Sequence, residues 1–329
     1  MSDKTGIEWA DASWPVITGC THISDGCDNC YAANLTSTRL RHLPEYAGLA
    51  ENGRFNGTVR CLPDRLDWPL HWRKPRRIFV SDMADLFHPD VPDLFITEVF
   101  DVMEQAPQHT FQVPTKRHAR MRSFVRRRME NRAEYAAKFD DCPTGAMRNS
   151  PAAQWARKRA VTPQPNIWLG VSAENQKWAD IRIPALLDTP TAVRFVSAEP
   201  LLGPINLHAN DNGLHNWLPD YGPQYDDGTG DAVCQAHGIS HCRQGCNFVD
   251  WLIVGGESGQ GARKMDLAWA QSLIHQCENA DVPVFMKQVG SVAAPSLGPF
   301  AGRKGGNWDA FPDGLRVRQF PRVAKAVAS

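Results

Sequence analysis

Seven short runs of apolar and β-branched residues punctuate the chain: WPVIT (14–18), RIFVSD (77–82), TFQVPT (110–115), IWLGVS (167–172), VRFVSA (193–198), WLIVGG (251–256) and VFMKQ (284–288). They are continuous rather than alternating, which suits strands buried on both faces of a parallel sheet. Between them, LFITEVFDVMEQA (94–106), HARMRSFVRRRME (118–130), AENQKWADIRIPALLD (173–188) and LAWAQSLIHQCENA (267–280) repeat apolar residues at intervals of three and four, the period of amphipathic helices. Strand and helix in alternation predict βαβ units. The fold class is therefore α/β, a partial (β/α) barrel of about six or seven parallel strands.

Two strand-to-strand intervals hold more than the single helix a crossover needs, which puts insertions at about 131–165 and 206–249. The second is rich in Gly, Asp, Asn and His with little periodicity, and reads as an excursion from the barrel. The expected organisation is one barrel over 1–305 with these insertions, then a C-terminal strand and tail over 306–329. Composition adds limits. A chain of 329 residues, 42% hydrophobic and 22% charged, buries a sizeable core with ease, and no apolar stretch approaches a membrane span. The first thirty residues lack a signal-peptide core, so the expected compartment is the cytoplasm. There, nine cysteines point to metal or cluster ligands or buried thiols rather than disulfides. The formal net charge of zero gives nucleic acid no support from the chain as a whole.

In parallel α/β folds the ligand site forms at the carboxyl ends of the strands. Those ends read Ser81-Asp82 with Asp85 beyond; Thr115-Lys116-Arg117; Ser172-Ala-Glu174; Ser197-Ala-Glu199; Gly255-Gly256-Glu257; and Lys287-Gln288. Loop starts are polar in any protein, which accounts for about half of these groups. The repeated Ser-Ala-Glu is less easily dismissed: two strands in succession offer a hydroxyl and a carboxylate to one mouth.

The first strand runs straight into TGCTHISDGCDNCYA (18–32), which places Cys20, Cys27 and Cys30 at that mouth. Three readings stand. Zinc would take the three thiolates with His22 or Asp25 as fourth ligand; the thiols would be inert and buried; or three cysteinates would hold a [4Fe–4S] cluster and leave one iron free to bind a substrate or cofactor. The polar loop disfavours inert thiols, and the odd number of thiols favours the cluster.

A three-cysteine loop after the first strand of a βα barrel resembles the radical S-adenosylmethionine (radical SAM) superfamily. More narrowly, GIEW (6–9), the cysteine loop, PTKR (114–117), WLGVSAEN (168–175), FVSAEPLLGPI (195–205), IVGGESG (253–259) and FMKQVG (285–290) resemble an uncharacterised radical-SAM-like family common in phages and prophages. The resemblance implies a [4Fe–4S] cluster on Cys20, Cys27 and Cys30, S-adenosylmethionine on its open iron, an external electron donor, and reductive cleavage to a 5′-deoxyadenosyl radical that acts on a substrate. It implies that Asp82 receives the methionine ammonium, that Ser172, Glu174, Ser197 and Glu199 face the ribose or methionine group, and that Gly255 and Gly256 let the backbone approach the adenine. Glu257 is accounted for equally by a helix N-cap or a salt bridge to Arg263. Two departures stand out. Six residues separate Cys20 from Cys27 where three are usual, and Ser81, Asp82 and Asp85 occupy the place of the usual glycine-glycine-glutamate.

The second insertion carries Cys234, His237, His241, Cys242 and Cys246, most simply a structural zinc site on four of them, with an auxiliary cluster as the sharper alternative and unbound surface residues as the blander one. Cys61, Cys142 and Cys277 are isolated and read as buried thiols. Positive charge gathers in KRHARMRSFVRRRMENR (116–132), a face for a nucleic acid or nucleotide substrate or a solvated helix surface balanced by Glu130 and acidic segments elsewhere. The rival to an enzyme is a zinc-stabilised nucleic-acid-binding protein without turnover. A partner protein is compatible with either, and a membrane with neither.

Overall fold

The structure is a computed structural model that describes residues 5–142, 144–208, 216–219 and 247–321, with the backbone of Val233–Cys234 and Ile239–Ser240. Seven strands build one all-parallel sheet in strict chain order, curled into a half-barrel: β1 (Ala12–Trp14), β2 (Arg77–Val80), β3 (Thr110–Thr115), β4 (Ile167–Ser172), β5 (Val193–Ala198), β6 (Trp251–Gly255) and β7 (Val284–Gln288). Six helices of seven residues or more accompany it among the described residues: α1 (Tyr31–Ser37), α2 (Asp93–Gln105), α3 (His118–Asp140), α4 (Pro151–Val161), α5 (Gln176–Leu187) and α6 (Leu267–Asn279). No helix among the described residues is long and apolar enough to cross a membrane.

All seven apolar runs are strands, with one shift. The first sheet strand ends at Trp14, before the run WPVIT expected to form it, because Pro15 offers no amide to a ladder. Beyond it Ile17–Thr18 pairs antiparallel with Arg60–Cys61 instead. That pairing belongs to a stretch between β1 and β2 that the periodicity missed, with a small hairpin, Ala50–Glu51 against Arg54–Phe55. Its strands are two residues long, too short to leave a pattern.

The first insertion is helical. α3 runs ten residues past its expected end, to Asp140, and α4 is capped by Ser150, whose hydroxyl accepts from Ala153 N at 3.2 Å. In the second, Val233–Cys234 pairs antiparallel with Ile239–Ser240. The proposed ligand side chains of Cys234, His237, His241, Cys242 and Cys246 lie outside the described residues. Among the described residues, the expected C-terminal strand is a single antiparallel bridge, Phe285 to Arg318, on the edge of β7.

Two apolar layers fix the sheet. Helices cover its outer face through side chains such as Ile96, Val99, Ile183 and Leu273. The inner face carries aromatic rings near the strand beginnings. Trp9 and Trp168 meet Trp251 edge-on at 5.8 and 5.9 Å, and Phe195 and Phe285 pack around it. Gly170 makes room for this plug, since a Cβ there would stand 2.4 Å from the Phe195 ring. With the amino end of the half-barrel filled by rings, its polar groups collect at the carboxyl end.

Candidate functional site

The three cysteines lie at that carboxyl end. Gly19, in the left-handed region at φ +87°, bridges to Ala84 beyond β2 and turns the chain onto the mouth. A Cβ there would stand 2.1 Å from the Thr58 carbonyl oxygen, so glycine is required. Asp25–Cys27 then forms one 3₁₀ turn, and Cys30 precedes α1. Cys20, Cys27 and Cys30 are unbonded to one another and half-buried. Burial pushes the Cys20 thiol up to about 12 against the pull of Arg117, and raises Cys30 in the same way.

Three cations from two elements surround this loop. Arg117, at the end of β3, donates from Nη1 to Cys20 Sγ at 3.5 Å and to Asp85 Oδ2 at 3.0 Å, and from Nη2 to Thr21 Oγ1 at 2.7 Å. Lys116 lies within electrostatic reach of Cys30, and Arg182 of α5 within reach of Cys27. Lys116 Nζ and Arg182 Nη1 both donate to Glu174, at 2.7 and 2.9 Å, and Ser24 of the cysteine loop adds a third bond at 2.6 Å. Three cations thus face two carboxylates, Glu174 and Asp85. Burial alone would raise the Glu174 carboxyl, but Lys116 and Arg182 outweigh it and hold the pKa below its ordinary value.

The extra length of the cysteine loop has a structural use. Gly26 lies against Glu174 so closely that a Cβ would stand 2.4 Å from Oε1. On the other flank Arg263 donates to Glu257 Oε1 at 2.6 Å, to Asp28 Oδ2 at 3.0 Å and to the Asp25 carbonyl at 2.7 Å, while Asn29 Nδ2 donates to Glu257 Oε2 at 3.0 Å. The loop is therefore held at two points, by Glu174 beyond β4 and by Glu257 beyond β6.

These contacts redistribute the roles expected at the strand ends. Glu174 is fully buried beneath the loop rather than facing a sugar. Glu257 forms the salt bridge to Arg263, and Glu199 pairs with Lys287. The Ser172 carbonyl accepts from Arg182 at 2.8 Å. Gly256 serves chain packing, since a Cβ there would stand 2.1 Å from the Val289 carbonyl oxygen; at Gly255 it would meet Glu199 at 3.2 Å. Ser197 is buried. Asp82 stands apart from these carboxylates. Its Oδ1 is buried with no hydrogen-bond partner, burial lifts its carboxyl to about 6, and its backbone carbonyl accepts from Tyr31 OH at 2.8 Å. The neighbouring Ser81, at φ +62°, also has a buried hydroxyl without a partner.

The residues 4–319 match the family described as "Protein of unknown function (DUF5131)". The chain belongs to this family. No curated protein and no solved structure matches it.

Arg182 escaped the sequence reading although it is fully buried, stacked on Trp178 at 4.1 Å. Its signal was an arginine on the apolar stripe Ala179–Ile183–Leu186. Among the isolated cysteines only Cys277 is a buried thiol; Cys61 and Cys142 are half-exposed. The arginines of α3 are balanced mainly from other elements, by Asp93, Asp101, Glu104 and Asp188 rather than by Glu130. Among the described residues, no three His, Cys, Asp or Glu side chains converge on one point as ligands of a single ion.

Proposed function

We propose that this DUF5131 chain is a radical SAM-like enzyme whose Cys20, Cys27 and Cys30 hold a [4Fe–4S] cluster at the mouth of the half-barrel. The observation that carries this reading is the cluster of Lys116, Arg117 and Arg182 beneath a loop with an odd-numbered set of thiols, Arg117 bonded to Cys20 and the other two to Glu174, which Ser24 of the loop also contacts. Three thiolates around a cluster are a net anion, and burying an anion requires compensating charge. Here the cations exceed their paired carboxylates by one. When bound, the cluster and S-adenosylmethionine supply a 5′-deoxyadenosyl radical.

The chain's own residues do the rest. Arg117 and Lys116 stabilise the thiolate forms of the cysteines. Glu174 and Glu257 hold the loop in place. Asp82 Oδ1, an unpartnered acceptor, would receive the ammonium of the methionine moiety, and Ser81 Oγ would offer a second polar contact beside it. An external reductant provides the electron, and the substrate is a nucleic acid or nucleotide guided by the arginines of α3. The six cysteines whose side chains are described are free, which suits a reducing cytoplasm.

The test is anaerobic reconstitution with iron and sulfide, followed by electron paramagnetic resonance of the dithionite-reduced protein with and without S-adenosylmethionine. A reduced-cluster signal that changes on adding S-adenosylmethionine in wild type, and loses that response in Asp82→Asn, supports the assignment. A colourless protein that takes up zinc and no iron rejects it in favour of a non-catalytic zinc protein.

A further inference from the structure

A cavity of about 740 Å³ lies away from the cysteine mouth, between α2, α3 and α4, lined by arginines, carboxylates and aromatic rings. That is the size of sites that take nucleotide-sized ligands. Arg128 and Arg132 of α3 and Arg159 of α4 all converge on the carboxylate of Glu104 in α2, which is only 5% exposed. Asp101 takes a second contact from Arg128, and Arg127 at the rim pairs with Asp93. Arg120 also pairs with Asp93, so five arginines share three carboxylates. The imbalance has physical signs: Arg128 Nε is buried without an acceptor, and burial, reinforced by the charge of Arg128, lowers the Arg132 pKa to about 10. Simple helix docking has no need of a surplus cation, because one buried carboxylate is matched by one or two.

The same cavity has an aromatic wall. Trp155 of α4 is 57% exposed, and the Arg159 guanidinium lies over its ring at 4.5 Å. Tyr135 of α3 is 52% exposed and lines the same space. Exposed rings beside guanidinium groups that outnumber their carboxylates offer two surfaces at once: a face on which a flat base stacks, and donors for a phosphate. Four helical turns of α3 separate Arg132 from the mouth at Arg117, roughly 22 Å at 1.5 Å per residue. The cavity is thus distinct from the cysteine site.

We infer that this cavity binds a nucleoside phosphate, free or as one residue of a single-stranded nucleic acid, with the phosphate on Arg132 and Arg159 and the base stacked on Trp155. The inference names a site for the ligand class that the proposed function gives to the arginines of α3, and it does not depend on the chemistry at the mouth.

Fluorescence polarisation of the full chain tests it with two probes, a labelled oligothymidylate of about twelve nucleotides and labelled AMP. Wild type binds, and the exposed-ring variant Trp155→Ala and the charge variant Arg159→Gln each weaken binding roughly tenfold. An oligonucleotide that binds far more tightly than AMP assigns the cavity to a strand; equal affinity assigns it to free nucleotides. Cys27→Ala, which removes a cysteine from the mouth, leaves this binding intact even where it abolishes iron uptake. No binding by wild type, binding unchanged in both cavity variants, or inorganic phosphate displacing both probes at concentrations equal to unlabelled AMP overturns the assignment.

Discussion

Arg117 Nη1 stands 3.5 Å from Cys20 Sγ and 3.0 Å from Asp85 Oδ2, so one buried guanidinium nitrogen joins a cysteine of the loop to a carboxylate fixed by the next two strand ends. Asp85 is itself held by Thr115 Oγ1 at 2.7 Å and by Lys116 N at 3.0 Å. A charge so placed stabilises a thiolate and cannot swing away. Arg117→Met is expected to lower cluster retention by about 10- to 100-fold, the range for partners that orient metal ligands. Iron content after a chelator challenge measures it, with Arg117→Lys retaining more iron than Arg117→Met. Equal retention in wild type and Arg117→Met would show that Arg117 is only structural.

Among the described residues, Glu174 is the sole carboxylate bonded to the fully buried Arg182. Glu174→Ala leaves that arginine uncompensated, which costs about 3–5 kcal/mol. Urea denaturation of the protein without metal reads the loss, and a midpoint unchanged from wild type contradicts the pairing.

Gly26→Ala and Gly256→Ala separate the site from the fold. The first forces a Cβ onto Glu174 beneath the cysteine loop; the second forces one onto the backbone at Val289. Gly256→Ala is expected to destabilise the fold by about 1–3 kcal/mol and keep its iron. Gly26→Ala loses iron with a smaller change in melting temperature. Paired melting and iron assays distinguish them.

His109 reports on pH. Its Nδ1 accepts from Arg76 N at 3.2 Å and its Nε2 donates to the Pro69 carbonyl at 3.0 Å, so the neutral ring satisfies both contacts. Burial lowers its pKa below the ordinary histidine value. The folded state therefore binds its proton less readily than the unfolded chain. The stability this gives is complete above the unfolded pKa, about 6.5, and is lost as pH falls below it. The difference in stability between wild type and His109→Gln is expected to shrink as pH falls from 7 to 5. A difference independent of pH contradicts the neutral assignment.

The strands and four of the helices were legible because continuous apolar runs and a period near 3.6 leave strong marks. α4 was hidden inside an insertion, and the two-residue strands between β1 and β2 are too short for any periodicity. At the site, sequence spacing located the thiols and the polar strand ends. It could not tell which strand-end groups face a ligand and which face the loop itself. Glu174 and Glu257 look alike in sequence to Asp82, yet the first two are consumed by Arg182 and Arg263 while Asp82 Oδ1 has no partner. Only the fold of the cysteine loop decides between them, and that fold depends on residues more than one hundred positions away.

The most direct measurement of the central claim is chromatographic detection of 5′-deoxyadenosine after anaerobic incubation of the reconstituted protein with dithionite and S-adenosylmethionine. The account predicts product from wild type and none from Cys27→Ala. A fully iron-loaded wild-type protein that forms no 5′-deoxyadenosine, or a Cys27→Ala variant that forms as much, would contradict it.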